Sequence, residues 1–151
     1  MQITEHFNLE ELLSSQSAVR LGYDEQFSPP DSVKENLGDL CISLLEPLRV
    51  KLNAPIHISS GYRCERVNSA IGGAETSQHC KGQAVDTTAQ GLTVEEWYQF
   101  VKNSGLVFDQ LIHEFDKWVH ISYTGVGQNR MQCLRAIKVA GMTKYIQDIA
   151  A

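Results

Sequence analysis

Apolar and polar positions along the chain follow a helical period in its first third and an alternating, strand-like one later. Asn8 and Glu11 stand at the N-cap and N3 positions of a capping box ahead of LEELL, which predicts a short first helix. Residues 20–31, RLGYDEQFSPPD, mix Gly, Pro and acidic residues and read as a loop. Asp31 or Ser32 then caps a long helix. Its broad apolar face is formed by Val33, Leu37, Leu40, Cys41, Leu44, Leu45 and Leu48, which recur at spacings of three and four. Pro47 has no amide hydrogen and is expected to kink that helix near its end.

From Pro55 the character changes. PIHISS reads as a short strand, GYR as a turn, CERVNSAI as a brief helix, GGAETSQHCKGQ as a loop and AVDTT as a second strand. Thr93 and Glu96 form another capping box, opening a helix that carries Val94, Trp97, Tyr98 and Val101 on one side and stops near Gly105. Residues 106–125 are rich in β-branched and aromatic side chains and broken by Asp116 and Lys117. They predict an antiparallel hairpin turning around 115–117. The remainder, from Asn129, reads as a closing strand or helix. Helices first, then strands with one intervening helix, predict an α+β fold: a small antiparallel sheet packed with helices, in a single domain spanning 1–151.

Composition narrows the function classes. A chain of 151 residues with 42% hydrophobic content is long enough to bury about two-thirds of its unfolded surface. The net charge of −5, with Lys and Arg scattered, offers no footprint for nucleic acid. The N-terminal segment lacks the pattern of a signal peptide, and no stretch reaches the ~18 apolar residues a membrane helix needs. Synthesis in the cytoplasm without membrane insertion is therefore expected. Cys41, Cys64, Cys80 and Cys133 are widely spaced and contain no C-x-x-C pair, which suits reduced thiols.

The stretch SQHCKGQAVD holds the first candidate chemistry. Histidine is the commonest protein ligand for zinc. His79 at a loop end and Asp86 on the next strand can reach one ion if Gly82 lets the loop fold back closely. His120 in KWVHISY is the candidate third ligand. Strand alternation puts Trp118, His120 and Ser122 on one face, and a histidine between Val119 and Ile121 is costly unless its nitrogens are bonded. A hydrolytic zinc also needs a proton acceptor, and His113, Glu114 and Asp116 lie just upstream, Asp116 at the expected solvated tip. Among the other candidates, His57 falls on a strand face near the site, His6 near a mobile end, Cys80 on the side of its loop away from His79, and Trp97 in the core.

SGYR (Ser60–Arg63), SQHCKGQAVD (Ser77–Asp86) and WVH (Trp118–His120), in that order, carry a resemblance. The sequence resembles the zinc D-alanyl-D-alanine carboxypeptidases and related bacterial and phage cell-wall peptidases, whose fold is shared with the hedgehog signalling domain. The resemblance implies Zn2+ as cofactor, with His79, Asp86 and His120 as its ligands. Many relatives carry Asp or Glu three residues before the last histidine, where this chain has Lys117. A subgroup has Glu at the position of Glu114, which makes Glu114 the implied catalytic base and His113 the alternative. Arg63 is implied beside the substrate, its planar fork suited to a peptide carbonyl or a terminal carboxylate, with bonding to loop carbonyls as the structural alternative. Ser77 either bonds the substrate or caps its loop, Gln78 helps to polarise a carbonyl, and Trp118 lines the cleft.

The implied substrate is a D-amino-acid-containing peptide of bacterial peptidoglycan, cut by a carboxypeptidase or by an endopeptidase such as an endolysin. The enzyme would be a monomer acting on the wall after release or after delivery by a phage holin or virion component. The alternative is a non-catalytic, zinc-stabilised wall-binding module, which Lys117 at the usual base position keeps open.

Overall fold

A computed structural model describes residues 1–148; residues 149–151, the last three of the expected domain, lie outside the described residues. Helix α1 (Leu9–Leu13) begins at Asn8, whose side chain accepts the Glu11 amide at 2.9 Å. The segment read as a loop from residue 20 is more ordered than expected. Helix α2 (Gln16–Leu21) runs into it, and a 3-10 turn (Asp24–Phe27) lies inside it. The reason is Gln26, fully buried, whose Nε2 donates to Leu13 O and Tyr62 O at 2.8 and 2.7 Å while its Oε1 accepts from Cys64 N at 2.9 Å. One polar side chain thereby satisfies three backbone groups from two other segments.

The long helix has three parts: α3 (Asp31–Leu40), a π-helical turn (Cys41–Leu45) and α4 (Glu46–Leu52). Its N-cap is Pro30, whose carbonyl accepts from Val33 N and Lys34 N, and not Asp31 or Ser32; Asp31 instead sits in the first turn, where its charge complements the helix dipole. The disturbance expected at Pro47 appears as the wide turn just before it, where Glu46 N donates back to Cys41 O. That geometry relieves the crowding a proline ring imposes on the preceding turn.

Helix α5 (Glu65–Ala70) follows SGYR, and α6 (Val94–Lys102) opens with a reciprocal capping box between Thr93 and Glu96. Six strands form one sheet: β1 (Ile56–Ser60), β2 (Ala84–Ala89), β3 (Gln110–Glu114), β4 (Trp118–Ser122), β5 (Gln132–Val139) and β6 (Met142–Asp148), in the order β1-β2-β4-β3-β5-β6. The fold is α+β as expected, but the sheet is neither small nor wholly antiparallel. β3 and β5 are parallel, with Gln110 beside Gln132 and Glu114 beside Ala136.

The parallel pair follows from the connection. β4 ends beside the start of β3, and the chain crosses that end and enters β5 on β3's free edge, running the same way. Asp109 O and Phe108 O accept from Gln132 N and Met131 N and fix the crossing. The closing segment is thus the β5–β6 hairpin, turning through Ala140 and Gly141, both in the left-handed region.

One sheet face, with Val85, Leu111, Val119 and Ile121, packs into the main core with Trp97, Tyr98 and Val101 of α6. The other face carries a small separate cluster, Ile112, Leu134 and Ala136 with Phe115 against them, and forms the floor of a cleft.

Candidate metal centre and its cleft

His79 sits in a single 3-10 turn (Gln78–Lys81), where the Ser77 hydroxyl accepts its backbone N–H at 3.2 Å. Gly82 closes the turn at φ +72°, and a Cβ there would stand 2.7 Å from Val33 O, so both conformation and space demand glycine. The His79 Nδ1–H donates to Gly61 O at 2.8 Å, which leaves the Nε2 lone pair for another partner. Gly61 is itself pressed against α1. A Cβ on it would lie 2.3 Å from Leu12 O, the same carbonyl that accepts Tyr62 N at 2.8 Å.

Asp86 and His120 are direct cross-strand partners in β2 and β4. His79 Nε2 and His120 Nδ1 both approach Asp86 Oδ1, each at 3.3 Å, and the two rings meet edge to face with centroids 5.1 Å apart. The three residues are 2%, 8% and 8% exposed for His79, Asp86 and His120. One ligand atom from each lies within 4.8 Å of the others, so the group can hold a metal ion. Tetrahedral zinc with bonds of about 2.0–2.1 Å separates its ligand atoms by about 3.4 Å. The two 3.3 Å separations fit that geometry, as does the N,N,O donor set. Burial pushes the Asp86 carboxyl up, but the hydrogen bonds and charges of His120 and His79 outweigh it and hold the group well below the usual carboxylate range.

Of the three upstream groups, only Glu114 comes to this centre. It faces Trp118 across the hairpin, and its Oε1 lies 3.7 Å from His120 Nδ1. Burial, then the Asp86 charge, raises its pKa. The charge of His120 opposes that rise.

The hairpin turn decides the faces. Phe115 and Asp116 are both left-handed, at φ 58° and 57°, and Lys117 N donates to Glu114 O at 2.9 Å, a type I′ turn after which Lys117 is one further residue before Trp118 pairs with Glu114. His113 therefore points to the opposite face. There its ring meets Tyr98 edge to face, and its Nε2 lies 3.3 Å from Asp116 and 3.9 Å from Glu95. Asp116 and Lys117 are exposed at the tip.

The centre opens into a cleft of about 1160 Å³ lined by Arg63, Ser77, Gln78 and Trp118. Ser77 caps the His79 turn and is approached by Arg63 Nη2 at 3.5 Å. Gln78 Nε2 donates to Asp109 Oδ2 at 2.9 Å, so its amide N–H is committed and its oxygen is not. Among the described residues, Arg63 Nε, Gln78 Oε1 and Trp118 Nε1 are buried without a hydrogen-bond partner, two donors and one acceptor around the same cleft.

Asp109 was not singled out from the sequence. It is buried and accepts from the backbone N, Nε and Nη2 of Arg130 as well as from Gln78; Arg130 above all keeps its pKa low. The only signal was a lone acid after an apolar run in LVFDQLI, since its partners are remote in sequence.

The remaining candidates lie apart from the centre. Trp97 is in the core, its Nε1–H on Thr87 Oγ1. His57 is exposed on β1 and close enough to Glu11 for their charges to interact. His6, expected near a mobile end, is tied through its backbone N and Nδ1 to Glu46 at 2.8 and 2.7 Å. Cys80, its thiol pKa raised by burial, is not among the residues that converge on the ion position.

A buried His–Asp–His group on a sheet, with a carboxylate beside it and a cleft above it, is the arrangement of a metal-dependent hydrolase. Residues 5–122 match the Peptidase M15 family, and the chain belongs to it. This is a family of zinc D-alanyl-D-alanine carboxypeptidase-like peptidases, as the three sequence motifs implied. No curated protein matches the chain. The family match ends at Ser122, so β5 and β6 lie beyond it.

Proposed function

We propose that this chain is a zinc-dependent peptidase that hydrolyses D-amino-acid-containing peptides of bacterial peptidoglycan, with His79, Asp86 and His120 as zinc ligands and Glu114 as the proton acceptor. The observation that carries the reading is the approach of two histidine nitrogens to one buried carboxylate oxygen with a second carboxylate 3.7 Å from His120. Zinc, when bound, supplies a Lewis acid that polarises a carbonyl and makes water a stronger nucleophile. Gly61 O fixes the tautomer of His79 so that Nε2 faces the ion position. Glu114 Oε1 takes a proton from the attacking water and returns it to the leaving amine. Arg63, whose Nε has no partner, is placed to orient a substrate carbonyl or carboxylate, and Trp118 walls the cleft.

The test is elemental analysis together with mass spectrometry of peptides released from purified peptidoglycan. His79→Ala and His120→Ala are expected to lose both zinc and peptide release. Glu114→Gln is expected to keep zinc and lose about 10²–10⁴-fold in rate. Undiminished turnover by metal-free wild-type protein overturns the reading. Zinc-loaded wild type that releases neither peptide nor free D-amino acid from any wall type makes a binding module the better description.

A further inference from the structure

The cleft does not end at the metal centre. Strand register continues its floor outward, because Tyr145 pairs with Ala136 and Ala136 with Glu114, all on one face. Lys138 and Thr143, a pair one step further along the hairpin, line the same cleft. Beneath them lies the apolar patch of Ile112, Leu134 and Ala136, separate from the main core and covered in part by Phe115. Tyr145, on the edge strand β6, lines the same cleft.

At the far end is a cation. Lys138 Nζ lies 5.1 Å from the centroid of the Phe115 ring and donates to Thr143 Oγ1 at 2.9 Å. Among the described residues no carboxylate oxygen comes within ion-pair distance of it. Phe115 holds its place at φ 58°, a conformation that a bulky side chain rarely adopts and that this turn type normally gives to Asn or Gly. The ring stands between Trp118, 6.1 Å away edge to face, and the Lys138 ammonium. Backbone strain kept at a site rim calls for a function.

We propose that the β5–β6 hairpin builds a recognition subsite in which Lys138 receives a carboxylate carried on an aliphatic chain of the substrate residue next to the bond that is cut. The distance supports the assignment. From Glu114 one strand over and two residues along is about 8 Å between Cα atoms, about the span from a scissile bond to the end of a neighbouring acidic side chain or to a nearby chain terminus. The patch of Ile112, Leu134 and Ala136 accepts the methylenes and Lys138 the charge. The hairpin lies beyond the residues that match the family. The inference rests on the peptidase reading only in taking a peptide as the ligand.

The experiment uses zinc-loaded full-length protein and four synthetic peptides that share one sequence. The acidic side chain is either a carboxylate or its amide, and the C-terminus is either free or amidated. Binding is measured by calorimetry and cleavage separately by mass spectrometry. Wild type is expected to prefer a carboxylate form by about fivefold, the range of a solvent-accessible ion pair. Lys138→Gln removes that preference, and Lys138→Arg retains it. Which of the two carboxylates carries the preference identifies its source. A preference that persists in Lys138→Gln, equal binding of all four peptides by wild type, or no binding of any overturns the subsite. Binding preference without cleavage would leave the subsite standing and overturn the peptidase reading alone.

Discussion

Gln26 shows how much one side chain can hold. Replacing it with Leu keeps the volume but strands Leu13 O, Tyr62 O and Cys64 N in the interior. At 1–3 kcal/mol for each buried polar group left unpaired, Gln26→Leu is expected to cost about 3 kcal/mol or more, measured by urea denaturation. Gly82→Ala meets both a left-handed φ and the Val33 carbonyl and should lower the melting temperature as well as loosen the His79 turn. At this scale the sequence was informative where chemistry is local. His120 stood out because a histidine between Val119 and Ile121 on a strand needs a partner, and His79 and Asp86 because they fall in one of the three motifs that carry the resemblance. Gln26 and Asp109 did not, because what makes them matter is a set of partners 13 to 38 residues away for Gln26 and 21 and 31 residues away for Asp109.

Among the elements, the β3–β4 hairpin decides which upstream group can serve the centre. A three-residue connection, 115–117, keeps residues 114 and 118 opposite each other, so Glu114 shares a face with His120 and His113 does not. Spacing alone left both open, since a turn one residue longer would exchange them. The back of the sheet has its own clamp, in which Arg135 holds Glu95 through Nη1 and Nη2 at 2.6 and 3.0 Å and Asp148 through Nε at 3.2 Å, tying β5 and β6 to α6.

Chiefly through Arg135, Glu95 is held at a pKa of about 2 against an ordinary 4.5. A depressed folded value means the stabilisation is fully present above about pH 4.5 and is lost as pH falls towards 2. Melting temperature should therefore drop across that window, and Glu95→Gln should flatten part of the drop. The effect should shrink in high salt, because Glu95 is 46% exposed. The helices α1, α3 and α6 and the antiparallel strands β1–β4 could be read from periodicity and caps, whereas α2 and the β5–β6 hairpin were not. The parallel β3–β5 pair could not, because it depends on a chain crossing fixed by Asp109 and Phe108 carbonyls rather than on any pattern within β5.

For the whole molecule, the metal group joins a 3-10 turn to two strands whose partners are 34 residues apart in sequence, so it exists only when the sheet is assembled. An ion bound only by the folded state then stabilises it. At zinc a thousandfold above Kd the gain is about 4 kcal/mol, about 8–16 °C in melting temperature for a chain of this size, and a chelator should reverse it. No shift on adding zinc would show that the group does not take the ion. The contact of Gly61 with α1 reaches further still. Leu12 O receives Tyr62 N, Gly61 lies against Leu12, and Gly61 O orients His79, so the N-terminal helix belongs to the outer sphere of a centre it never touches. Transplanting the three motifs onto another sheet without that helix would carry over His79, Asp86 and His120 but not the contact that orients His79.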